Sequence, residues 1–139
     1  MLTDHACTLG PLLAVSGFDY GTARNWARLG LLYVQDGVWE GERLLPEGYV
    51  DLVSSPAPAW ASPRYGGQFW VNGTKELVPL PESAFQMQGA GGQYVVVDRE
   101  HELVVVRLGH RKGGAGGKAL ASLNAALALL VEGGDHPKL

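Results

Sequence analysis

Hydrophobic positions recur at helical spacing early in the chain, at strand spacing in the middle, and at helical spacing again near the end. The first helical stretch covers residues 22–35, where Trp26, Gly30, Tyr33 and Val34 share a face and Arg24, Asn25, Arg28 and Gln35 take polar positions. Thr22 suits the N-cap, because its hydroxyl accepts from an unpaired amide of the first turn. Gly37, after Asp36, stands where a left-handed C-terminal cap is wanted. Residues 38–43 are expected as a turn with Gly41 at its sharp point. Pro46 has no amide to leave unpaired, so it fits the first position of a short helix over 47–53. Residues 1–14 show no firm period and 16–20 read as a turn. Residues 54–63, carrying Pro56, Pro58 and Pro63, form a surface connection that closes a mainly helical part, 1–63.

From Tyr65 the period becomes two. Residues 65–72 read as a strand with Phe69 and Val71 on one face and Trp70 on the other. After a loop over 73–83, strands are expected at 84–88 and 93–98, on either side of Gly89-Ala90-Gly91-Gly92, and at 102–109 beyond a polar turn, 98–101. Tyr94-Val95-Val96-Val97 and Leu103-Val104-Val105-Val106 are almost continuously apolar, which predicts a hairpin covered on both faces. Residues 113–117 read as a glycine linker. A final helix over 118–132 follows, with Leu120, Leu123, Leu127 and Leu130 as its stripe and Gly133 at its end. Its polar side is thin, so it is expected to lie against the sheet and a further helix. The whole, 64–139 with the helical part before it, predicts one α+β domain: an antiparallel sheet with flanking helices.

Composition narrows the function classes. The 139 residues are 46% hydrophobic and 18% charged, which excludes a disordered tail. The formal charge of -3 leaves no basic excess to neutralise phosphates, so nucleic acid is not an expected partner. Cys7 is the only cysteine, which rules out an internal disulfide and a cysteine zinc site. No apolar run reaches the length of a membrane span, and the start lacks the flank of a secretory signal. As it stands the chain reads as soluble and cytoplasmic, with the compartment left open because a longer parent could be periplasmic.

Candidate chemistry is sparse. Gly89-Ala90-Gly91-Gly92-Gln93 leads into a strand and so makes a poor phosphate cradle. Two readings stay open for it: a bulge or bend, or a place where a substrate backbone comes close to strand amides. Gly113-Gly114-Ala115-Gly116-Gly117-Lys118 fails as a nucleotide loop, with Lys112 in place of the leading glycine and Ala119 in place of the hydroxyl. His5, His101, His110 and His136 are scattered, so no metal is expected, and no cofactor. The carboxylates at turns, Asp36, Glu40, Glu42, Asp98 and Glu100, read as solvated or capping groups. None of Ser16, Ser54, Ser55, Ser62, Ser83 and Ser122 has lysine three residues on, and no Gly-x-Ser-x-Gly elbow occurs.

Several segments, in one order, resemble the serine β-lactamase-like hydrolases: relatives of class C β-lactamases, D-alanyl-D-alanine peptidases, esterases and 6-aminohexanoate-dimer hydrolases. They are Thr22-Ala23-Arg24-Asn25-Trp26-Ala27-Arg28-Leu29-Gly30-Leu31-Leu32-Tyr33, Asp36-Gly37-Val38-Trp39 and Leu44-Leu45-Pro46-Glu47-Gly48-Tyr49-Val50. Tyr65-Gly66-Gly67-Gln68-Phe69-Trp70, then Gly91-Gly92-Gln93-Tyr94 through Val104-Val105-Val106-Arg107-Leu108-Gly109, continue the likeness. It implies a partial β-lactamase/transpeptidase-like fold. It also implies that Ala90, Gly91 and Gly92 stand at the family's third, substrate-binding motif, with the backbone amide of Gln93 donating to the oxyanion. Ala90 stands where the family often has a cation or imidazole, so this position offers no charge to a substrate carboxylate. The family's Ser-x-x-Lys and its second motif have no counterpart here. The chain is therefore expected to be the carboxy-terminal portion of such a hydrolase, inactive alone and completed by an amino-terminal portion, which a separate chain can supply in a split enzyme. The alternative is a non-catalytic binding or assembly module. Either way the last strand is expected to leave an open edge, and the chain to self-associate through it or through the last helix.

Overall fold

The computed structural model describes residues 20–109 and 116–133. The first helix, α1, spans Ala23–Val34, and Thr22 caps it: its side chain accepts from the Asn25 amide at 3.2 Å. At its other end the Gly37 amide reaches back to the Leu32 carbonyl (2.8 Å) and the Asp36 amide to that of Tyr33 (3.2 Å). This is the Schellman pattern, and the left-handed cap residue is Asp36 (φ 53°), with Gly37 (φ 79°) continuing the turn.

Residues 38–43 make a small hairpin, β1 (Val38–Trp39) with β2 (Glu42–Arg43), joined through Glu40 and Gly41. Both linking residues have positive φ, as a two-residue turn with the sheet's own twist requires. The short helix α2 spans Tyr49–Ser54, later than expected. Pro46 is not its first residue. It opens a preceding turn, in which the Tyr49 amide donates to the Pro46 carbonyl and Gly48 takes φ 75°.

The main sheet is antiparallel and runs in chain order: β3 (Trp70–Val71), β4 (Phe85–Gly89), β5 (Gln93–Asp98), β6 (Leu103–Arg107). The expected strand over 65–72 shrinks to two residues. Ahead of it the Gly67 amide donates to the Val53 carbonyl and Gln68 adopts φ 70°, so this backbone ties α2 down instead of extending the ladder. The alternation is nonetheless real: Phe69 and Val71 are buried together and Trp70 faces the other way. The last helix, α3, spans Gly116–Glu132, so Gly116 and Gly117 of the expected linker are its first residues. Residues 113–115 of that linker, the turn over 16–19, the irregular start, and Cys7, His5, His110 and His136 lie outside the described residues.

Side-chain alternation sorts the sheet into two cores. On one face Tyr94 and Val96 meet Ala119, Leu123 and Leu127 of α3, with Leu77, Leu80 and Ala84 from the loop before β4. The buried line of α3 is thus Ala119, Leu123 and Leu127: two of the four expected stripe leucines are at its centre, Leu120 packs against it half-buried, and Ala119 joins it at the helix start. On the opposite face Phe85 and Val97 pack with Phe69, Val71 and, from α2, Val50 and Val53. Tyr33 of α1 meets Phe69 and Phe85 edge-on, with ring centroids 5.0 and 6.1 Å away. Gly30 brings α1 so near β6 that a Cβ there would lie 2.5 Å from Val104 Cγ1. The hairpin of β5 and β6 is therefore covered on both sides, by α1 and α3.

Two asparagines hold the loop between β3 and β4. Asn72, buried, donates from Nδ2 to the carbonyls of Leu77 (3.0 Å) and Pro81 (3.0 Å) and accepts from the Leu77 amide (2.8 Å). Asn124 of α3 accepts from the Val78 amide and donates to the Glu76 carbonyl. Sequence pattern alone showed neither role. No helix among the described residues is long and apolar enough to cross a membrane.

Candidate functional site

Ala90, Gly91 and Gly92 form the three-residue turn joining β4 to β5, closed by the pair Gly89 and Gln93. The glycine run is therefore a hairpin bend and not a bulge within one strand. Gly91 (φ 81°) and Gly92 (φ 85°) both lie in the left-handed region, open to glycine at little cost. Space adds a second constraint at Gly92, where a Cβ would stand 3.1 Å from Arg107 Nη1 and 3.2 Å from Ala119 Cβ. The Arg107 guanidinium donates to the Gly92 carbonyl. The Gln93 side chain accepts from the Gly109 amide at 2.9 Å, tying the head of β5 to the chain leaving β6. The amides of Ala90, Gly91 and Gly92 donate to no acceptor among the described residues. All four expected site residues thus lie together at one end of the sheet, beside the first turn of α3.

An open cleft of about 790 Å³ lies at the other end. Its lining includes Asp51, Ser55, Ser83, Arg99 and Glu100. Arg99 is held by Asp51 (2.5 Å) and Asp36 (3.6 Å), Ser55 donates to the Asp51 carbonyl, and Ser83 donates to Glu100. Nearby, the fully buried carboxylate of Asp98 accepts from the amides of Glu100 and His101 and meets His101 Nδ1 at 2.5 Å. Asp98 and Glu100 were expected as solvated or capping groups; Asp98 caps the turn, while Glu100 binds a hydroxyl. At about 3.3 Å per residue, roughly 17 Å of β5 separates this cleft from Gln93.

Among the described residues neither end holds an activated nucleophile. Among the described residues no serine hydroxyl is hydrogen-bonded to lysine or histidine: Ser54 and Ser55 donate to a carbonyl of α2, Ser122 to one of α3, and Ser83 to a carboxylate. Ser83 and Glu100 are both exposed to solvent, where an ordinary carboxylate is a weak base toward an aliphatic hydroxyl. Tyr33 is no substitute, since burial, and then the nearby Tyr49, push its phenol above the ordinary value and hold it neutral. No three His, Cys, Asp or Glu side chains among the described residues converge as metal ligands. No protein-family profile matches the chain, and no curated protein matches it.

Proposed function

We propose that this chain is the oxyanion-side portion of a serine β-lactamase-like hydrolase, acting in acyl transfer to water from an amide, ester or β-lactam, and without turnover of its own. The observation that supports this reading is the turn between Gly89 and Gln93: the amides of Ala90, Gly91 and Gly92, at the head of a buried strand, find no acceptor among the described residues, in a sequence without Ser-x-x-Lys. Such amides, fixed before the reaction begins, are what a carbonyl needs as negative charge develops on its oxygen. The resemblance names the Gln93 amide as donor; Gln93 closes the hairpin opposite Gly89, and the three amides just before it are the unpaired ones, with Ala90, Gly91 and Gly92 lining the substrate. The attacking hydroxyl and its lysine come from other polypeptide, which the sheet edge at β6 receives. The same edge, or the last helix, can instead receive a second copy.

The test is turnover. The purified chain is expected to show no sustained hydrolysis of nitrocefin or of p-nitrophenyl acetate. Steady turnover that copurifies with the chain overturns the proposal. An in-frame Ser-x-x-Lys upstream of the Met1 codon supports it, and a stop codon there shifts the balance to an assembly module.

A further inference from the structure

The two edges of the main sheet are unlike. β3 is two residues long and turns at once into the 3-10 turn Asn72–Thr74, which is one of the ways a sheet edge is blunted. β6 has no such protection. It pairs with β5 through five consecutive residues without a bulge, from Tyr94 opposite Arg107 to Asp98 opposite Leu103. It contains no proline and no lysine, and no strand among the described residues lies along its outer side. Every one of its residues is only half-buried, although helices cover both faces behind it.

We propose that a second copy of this chain adds its own β6 along β6, antiparallel, about a two-fold axis at Val105. The centre of the five-residue strand is Val105, so this register sets Val105 against Val105 and Leu103 against Arg107. Charge selects the direction. β6 begins at a turn carrying Glu100 and Glu102, whose Arg99 is taken up by Asp51 and Asp36, and ends at Arg107, which spends one guanidinium N–H on Gly92 and has others without an acceptor among the described residues. Antiparallel pairing brings the acidic turn of one copy beside Arg107 of the next, whereas parallel pairing sets like charges together. The sheet then continues across the axis, with both copies of α3 on one face and both copies of α1 on the other. Both edges being the same surface, the contact is isologous.

This inference rests on the proposed function only in treating β6 as an edge made to be paired, and the two fail separately. Turnover by the chain alone would sink the hydrolase-portion reading and leave the pairing untouched. The test combines sedimentation velocity from low to high micromolar concentration with hydrogen exchange of the β6 amides. Expected is a monomer–dimer equilibrium in which the outward-facing, alternate amides of β6 exchange quickly when dilute and slow as dimer forms. Glu102→Arg, at an exposed position without a side-chain partner among the described residues, is expected to weaken association several-fold while leaving the circular dichroism and melting temperature of the dilute chain unchanged. A monomer at every concentration with fast outward amides overturns the proposal. So does a dimer in which those amides stay fast, which uses another surface. A monomer in which they are slow also overturns it, since the edge is then covered by the chain's own residues.

Discussion

Asn72 does more for this molecule than its side chain suggests. Its carboxamide satisfies the Leu77 amide and carbonyls on both sides of the buried Leu80, in a loop with no ladder to do so. Asn72→Ala leaves those groups dry and unpaired, so it is expected to cost about 3 kcal/mol, measured as a lower denaturant midpoint at unchanged slope. Asn72→Asp does not rescue the loss, because a carboxylate can accept from Leu77 but cannot donate to the carbonyls. Tyr33 gives a pH signature. Its folded-state pKa is raised, so its contribution to stability is fully present below the ordinary phenol value of about 10 and is lost as pH climbs past it. Wild type is therefore expected to lose stability more steeply than Tyr33→Phe across that range, in urea titrations at successive pH values. Little of this was legible in the sequence. Asn72 and Asn124 look like ordinary polar residues, and Gln93 stood out only for its backbone amide while its side chain binds the Gly109 amide; each acts on a partner that only the fold brings near.

Elements were far more legible, because their signals are local. The Thr22 cap, the helical spacing after it and the apolar hairpin of β5 and β6 each needed only neighbouring residues to declare themselves. Where a distant partner competed, boundaries moved. The alternation from Tyr65 promised eight strand residues, but Gly66 and Gly67 give their backbone to a turn and to α2. The packing of α1 on β6 is a similar case, with a clear test. Gly30→Ala improves helix propensity by about 1 kcal/mol, yet drives a methyl into Val104 at a cost of about 1–3 kcal/mol. Net destabilisation is expected in wild type. In a Val104→Ala background the same substitution is expected to stabilise, a reversal of sign that a double-mutant cycle measures directly.

For the molecule as a whole, the two cores on opposite faces of one sheet account for its α+β architecture, and both draw on the pattern of alternate residues that the sequence displayed. The placement of candidate chemistry was only half visible. The glycine turn at Gly89–Gln93 was legible as a group because its residues are consecutive. The cleft at the other end was not, since its lining is drawn from several separate stretches of chain. The stunted rim at β3 has a practical corollary. If two copies join at β6 as proposed, each pair is a chain terminator: it offers the solvent only two-residue stubs at its outer rims, and concentrated stocks are expected to stay clear where a sheet open on both rims would thicken into fibrils.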